Sequence, residues 1–127
     1  MIEDAEYATT VINFQQRKKT AKRSSLSSKR MYRNPKLLRS LQSSPCQNCG
    51  VEDGTIVAAH SNQLRDGKGR GLKAHDYRIA ALCYTCHAEL DQGSKMSKQE
   101  RINMWEEAHR KTVGWLFDNS IVQTSSS

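Results

Sequence analysis

Two C-x2-C pairs, Cys46-Gln-Asn-Cys49 and Cys83-Tyr-Thr-Cys86, constrain this chain more than any other feature. In each, a turn of two residues aims two thiolates at one point. Two such turns complete the closed tetrahedral set of a structural zinc site. Four buried free thiols or a thioredoxin-like redox pair are the bland alternatives, and no βαβ pattern surrounds either pair. Met1 to Tyr7 carries Glu3, Asp4 and Glu6 where an export signal would place basic residues before an apolar run. The expectation is therefore a cytoplasmic protein whose reduced cysteines hold metal. No apolar run approaches the ~18 to 20 residues that span a bilayer, so no membrane partner is expected. With 127 residues, 36% of them hydrophobic, the chain cannot pack a core along its whole length, and a bound zinc ion would supply stability that burial does not.

The net charge of +7 is unevenly spread. Arg17 to Arg39 holds ten basic residues and no acid, with serines at 24, 25, 27 and 28. Residues 1–33 thus read as a flexible, disordered basic arm that contacts DNA phosphates without reading bases. Asn34-Pro35 offers an N-cap followed by proline at the first helical position, which predicts a short helix ending before Pro45. Thr55 to Ala59 and Tyr77 to Leu82 read as strands around a basic loop marked by Gly67, Gly69 and Gly71. Ser97-Lys98-Gln99-Glu100 matches a capping box, and Ile102, Trp105, Ala108, Thr112 and Leu116 follow at helical spacing. The domain is expected over 34–118, with a disordered tail over 119–127. His75 and His109 read as solvated.

The 33 residues between Cys49 and Cys83 exceed zinc-ribbon spacing, so a unit of structure must sit between the pairs. That unit reads as strand ending in His60, glycine loop, and second strand running into Leu82-Cys83-Tyr84-Thr85-Cys86-His87-Ala88-Glu89-Leu90-Asp91. Over roughly Pro35 to Leu116 the chain resembles the HNH (His-Me finger) endonucleases that carry a four-cysteine zinc site, and especially the small nucleases of phages and prophages. The resemblance implies an α+β fold with a zinc-stabilised ββα-metal core and flanking helices. It also implies a metal-dependent DNA endonuclease or nickase acting in the cytoplasm of a bacterial host, in DNA processing or recombination. A protein-coated DNA filament is a further partner it suggests.

Carried over residue by residue, the resemblance makes His60 the general base and His87 a ligand of a catalytic Mg2+ or Mn2+ ion. Asp91 stands at i+4 from His87, on the same helical face, and completes the pair. Many relatives place a further ligand just before the base, where this chain has Ala59, and the usual asparagine of the middle motif is Arg78 here. Asp76 is positioned to take over that residue's loop-tying role. Arg65, Lys68, Arg70, Lys73 and Arg78 are expected to contact nucleic acid. His87-Ala-Glu89 and Pro45-x3-Cys49 also contain both halves of a zinc deaminase signature, but in the reverse order, with Cys83 and Cys86 unused. The remaining rival is a non-catalytic, zinc-stabilised nucleic-acid-binding module.

Overall fold

The computed structural model describes residues 30–125, and the compact unit discussed below begins at Tyr32. The expected arm falls outside the described residues as far as Lys29, as do Ser126 and Ser127. Its boundary shifts, however. Tyr32 and Arg33 belong to the folded unit: Asp76 N donates to Tyr32 O at 2.9 Å, and Arg33 Nη1 donates to Ala74 O at 2.6 Å.

Helix α1 spans Pro35–Ser40. Asn34 Oδ1 caps it by accepting from Leu37 N at 3.1 Å, and proline occupies the first turn, where no N–H is needed. A 3-10 turn over Leu41–Ser43 then drives Leu41 fully into the core ahead of Pro45. Strands β1 (Val57–His60) and β2 (Ile79–Leu82) pair antiparallel, with Val57 opposite Leu82 and His60 opposite Ile79.

Both strands are shorter at their first ends than the residue pattern predicts. Asp53 Oδ1 accepts from Thr55 N and Thr55 Oγ1 at 3.0 and 2.6 Å, a side-chain turn that competes with the ladder. Arg78 N bonds to His75 O at 2.9 Å, which keeps Tyr77 in a turn. The connection between the strands is itself built. Gly67, at φ +95°, closes a 3-10 turn over Leu64–Asp66, and Gly69 and Leu72 exchange two 3.0 Å backbone bonds.

Helix α2 (Tyr84–Gln92) starts at the second cysteine pair, and α3 (Lys98–Asp118) starts at the capping box. Ser97 Oγ accepts from Glu100 N at 3.1 Å, and Glu100 Oε1 accepts from Ser97 N at 2.8 Å. The buried stripe of α3 is Trp105, Ala108, Thr112 and Leu116, packed on β2, all four of whose residues are buried.

A two-stranded sheet leaves the outer edge of β2 with backbone groups that burial would orphan. Side chains of α3 replace the missing strand there. Ile79 O accepts from His109 Nδ1 at 2.7 Å, and Ala81 N donates to Thr112 Oγ1 at 3.0 Å. Gln47 N, in the first cysteine turn, supplies Ala81 O at 2.8 Å. His109 is therefore a half-buried edge partner stacked on Trp105, with ring centroids 4.7 Å apart, and not a solvated residue. The expected tail is likewise ordered at its start. Ile121 N and Val122 N both bond to Leu116 O, and Val122 packs against the core. The observed class is a small mixed α/β unit in which β1, β2 and α2 follow one another across the cysteine pairs.

Candidate functional site

The four cysteine sulfurs lie within 4.8 Å of one another, an arrangement that can hold one metal ion such as zinc. A tetrahedron with ~2.3 Å metal–sulfur bonds has sulfur–sulfur edges of about 3.8 Å, and Cys49 Sγ lies 3.8 Å from Cys83 Sγ. The sequence folds this way locally because each turn is closed by its own backbone. Gly50 N bonds to Cys46 O at 2.8 Å with Gly50 at φ +85°, and Cys83 caps α2. Cys49 N and Cys86 N point at Cys46 Sγ and Cys83 Sγ, each at 3.5 Å, and Asn48 Nδ2 donates to Cys86 Sγ at 3.3 Å.

Burial raises all three perturbed thiols, but at Cys46 it is outweighed by the backbone N–H groups of Cys49, Cys83 and Asn48, which bring its pKa down to about 7. At Cys86 burial dominates and the crowded neighbouring sulfurs add to it, pushing the thiol up to about 12; Cys83 is also raised, chiefly by burial. A metal-free cluster thus holds protons that a cation must displace, so metal uptake releases protons and weakens as pH falls.

A second constellation forms at the end of β1. His60 Nε2 lies 2.8 Å from Asp76 Oδ1. Asp76 is 2% exposed, and its carboxylate also accepts from Asn34 N at 2.7 Å and Arg33 Nη1 at 3.3 Å. Burial works to raise its pKa, but the hydrogen bonds from His60 and Asn34 N and the charges of His60 and Arg33 together hold it below the usual carboxylate value. An ionised carboxylate only accepts, so His60 Nε2 carries the hydrogen and Nδ1 is the nitrogen left to take a proton. Asp76 ties the loop to Tyr32–Asn34, as its position suggested, and in addition it orients His60.

His60 and Asp91 line one cavity of about 670 Å3, together with Gln63, Arg65, Arg101 and Trp105. Trp105 Nε1 donates to Ala59 O at 2.9 Å, and Ala59, 1% exposed, is core. His87 Nε2 stands 3.2 Å from Asp91 Oδ2, with both side chains over a third exposed, but His87 does not line the cavity. Among the described residues, the four cysteines are the one group of three or more metal-ligating side chains gathered closely enough to share an ion.

The five basic candidates separate into two kinds. Arg65 is held by Glu106, 2.5 Å from its Oε2, which also accepts from Gln63 Nε2 at 2.7 Å. Burial would raise Glu106, but those two hydrogen bonds and the charges of Arg65 and His109 hold its pKa down. Arg78 Nε lies 3.4 Å from Asp66 Oδ1, and its guanidinium carbon sits 5.1 Å from the centroid of the Tyr77 ring, which stays 45% exposed. Lys68, Arg70 and Lys73 have no acidic partner within 4.0 Å among the described residues. His75 is half-buried, accepts from Tyr32 N at 3.1 Å and stacks on Tyr77, so it too is more than solvated.

Arg33, Glu106 and the His60–Asp76 contact were beyond sequence reasoning. Each depends on segments separated by 16 to 43 residues meeting, and no local pattern marks them. Comparison with protein-family models, curated proteins and solved structures finds no match to this chain.

Proposed function

We propose that this protein is a metal-dependent DNA endonuclease or nickase of the His-Me finger kind, built on a structural zinc site. The observation that carries this reading is the His60–Asp76 pair at the strand end, on a cavity that also receives Asp91. Asp76 holds His60 with Nδ1 free. That nitrogen removes a proton from water, and the buried carboxylate stabilises the imidazolium that results. The hydroxide attacks phosphorus, the P–O3′ bond breaks and O3′ takes a proton from solvent water, leaving 5′-phosphate and 3′-hydroxyl ends. His87 and Asp91 would hold a Mg2+ or Mn2+ ion, which supplies charge neutralisation at the phosphate and the leaving oxygen. Lys68, Arg70 and Lys73, which have no acidic partner among the described residues, suit phosphate contact better than Arg65 and Arg78, whose guanidinium groups already have carboxylate partners.

Two observations favour a second reading, a non-catalytic zinc-stabilised nucleic-acid-binding module. Ala59 is buried where a further ligand would be needed, and His87 and Asp91 stand as a pair. Plasmid nicking with added magnesium or manganese separates the two. His60→Ala and His87→Ala should each abolish nicking without releasing zinc, a loss of about 10² to 10⁴-fold for a positioned base. Asp91→Ala should raise the metal concentration required. Equal trace cleavage by wild type and both histidine variants establishes the binding module instead.

A further inference from the structure

The loop that carries Asp76 and the segment that begins at Tyr32 bring three aromatic rings together. His75 and Tyr77 stack at 4.7 Å and 5° between planes, and Tyr32 leans on Tyr77 at 5.5 Å and 42°. The Arg78 guanidinium sits 5.1 Å from the Tyr77 centroid. Tyr32 and Tyr77 remain 41% and 45% exposed, although each could bury more than 100 Å2 in a core.

The exposed charged residues next to these rings in sequence are all cations. Arg33, Lys73 and Arg78 are exposed, while the carboxylates that meet these groups, Asp66 and Asp76, are buried. Alternation along the loop turns Asp76 inward to His60 and leaves the residues on either side of it, His75 and Tyr77, in the ring cluster.

We infer that the Tyr32–His75–Tyr77 cluster is a stacking surface for unpaired bases of single-stranded DNA, placed beside the His60 site by Asp76. Exposed rings flanked by cations fit a polyanion whose bases present free π faces, and a duplex has those faces already covered. The inference deepens the nuclease reading, and takes its partner from it, by naming the form of DNA recognised.

The test uses the full zinc-loaded chain without added magnesium or manganese, so that binding is read apart from cleavage. Anisotropy is measured with a labelled oligo-dT and with a duplex of equal length. Tyr77→Leu should weaken single-strand binding by about 5- to 150-fold, from ~1 to 3 kcal/mol per stacked base, and change duplex binding by less than about twofold. Tyr77→Trp should retain binding, and oligo-dT should quench its emission beyond any quenching of the wild type. That quenching is read on a variant that keeps a ring in place, so the inference is tested even if Tyr77→Leu loses its zinc or helicity.

Unchanged single-strand binding by a folded Tyr77→Leu, equal losses on both DNA forms, or no added quenching would overturn it. The rings would then only fasten Tyr32–Asn34 to the loop. Ring-dependent single-strand binding without cleavage removes the nuclease and keeps this surface; cleavage with ring-independent binding does the reverse.

Discussion

Asp76→Asn tests the link between fold and chemistry most directly. The wild-type carboxylate, its side chain 3% exposed, serves Asn34 N at 2.7 Å, His60 Nε2 at 2.8 Å and Arg33 Nη1 at 3.3 Å. Arg33 is about a third exposed and also holds the carbonyls of Lys73 and Ala74, so its pairing with Asp76 contributes little. The asparagine oxygen can keep the Asn34 bond, but its amide must then face His60. The loss is the charge on one buried hydrogen bond and the reversal of the other, about 1.5 to 3 kcal/mol. Asp76→Ala orphans both donors and should cost roughly 3 to 5 kcal/mol, a large share of a total stability of about 5 to 15.

Urea unfolding followed by fluorescence of the buried Trp105, with zinc held in excess at pH 7, measures the difference. Because the native pKa of Asp76 is depressed, its contribution is complete above the unfolded value near 4 and is lost as pH falls through the lower native value. The difference should therefore still be present at pH 5. The same variant turns His60 so that Nδ1 carries the hydrogen, and nicking should fall about 10² to 10⁴-fold. A stability within about 0.5 kcal/mol of wild type, or nicking at the wild-type rate, would refute the role assigned to Asp76.

The remaining predictions concern the metal and the basic segment. Elemental analysis should find about one zinc per chain, and chelation or Cys83→Ser should abolish helical circular dichroism, since the thin core leaves stability to the metal; zinc-free protein with an intact spectrum contradicts this. Metal uptake should release protons to a weakly buffered indicator, and its weakening with falling pH should steepen below the Cys46 value of about 7, where that thiol too must give up a proton. Removing residues 1–29 takes away Arg17, Lys18, Lys19, Lys22, Arg23 and Lys29 but spares Tyr32–Asn34. DNA binding should weaken and its salt dependence flatten, by about 0.9 in slope for each phosphate no longer neutralised, while zinc content stays constant. An unchanged slope removes the arm's role.

Features that depend on near neighbours are legible in the amino-acid order alone. Two-residue turns place thiolates in pairs, Asn34-Pro35 starts α1, and Ser97 with Glu100 starts α3, because caps and knuckles are closed by atoms within three or four residues. The stripe from Trp105 to Leu116 follows from helical period alone. Both strands start two residues later than the residue pattern predicts, because a local turn captures the backbone there, through the Asp53 side chain at Thr55 and through the His75 carbonyl at Arg78, in competition with a ladder supported from across the sheet.

What the polar side chains do is settled by the tertiary fold, when distant segments pack together. His109 became the edge partner of β2, Glu106 took hold of Arg65, and Arg33 left the expected arm to join Asp76. It also brought His60 onto the Asp76 carboxylate and, with Asp91, onto one cavity. Pairings of this kind are set by which buried donors and acceptors the packed backbone leaves open, a condition that exists only once distant segments have met.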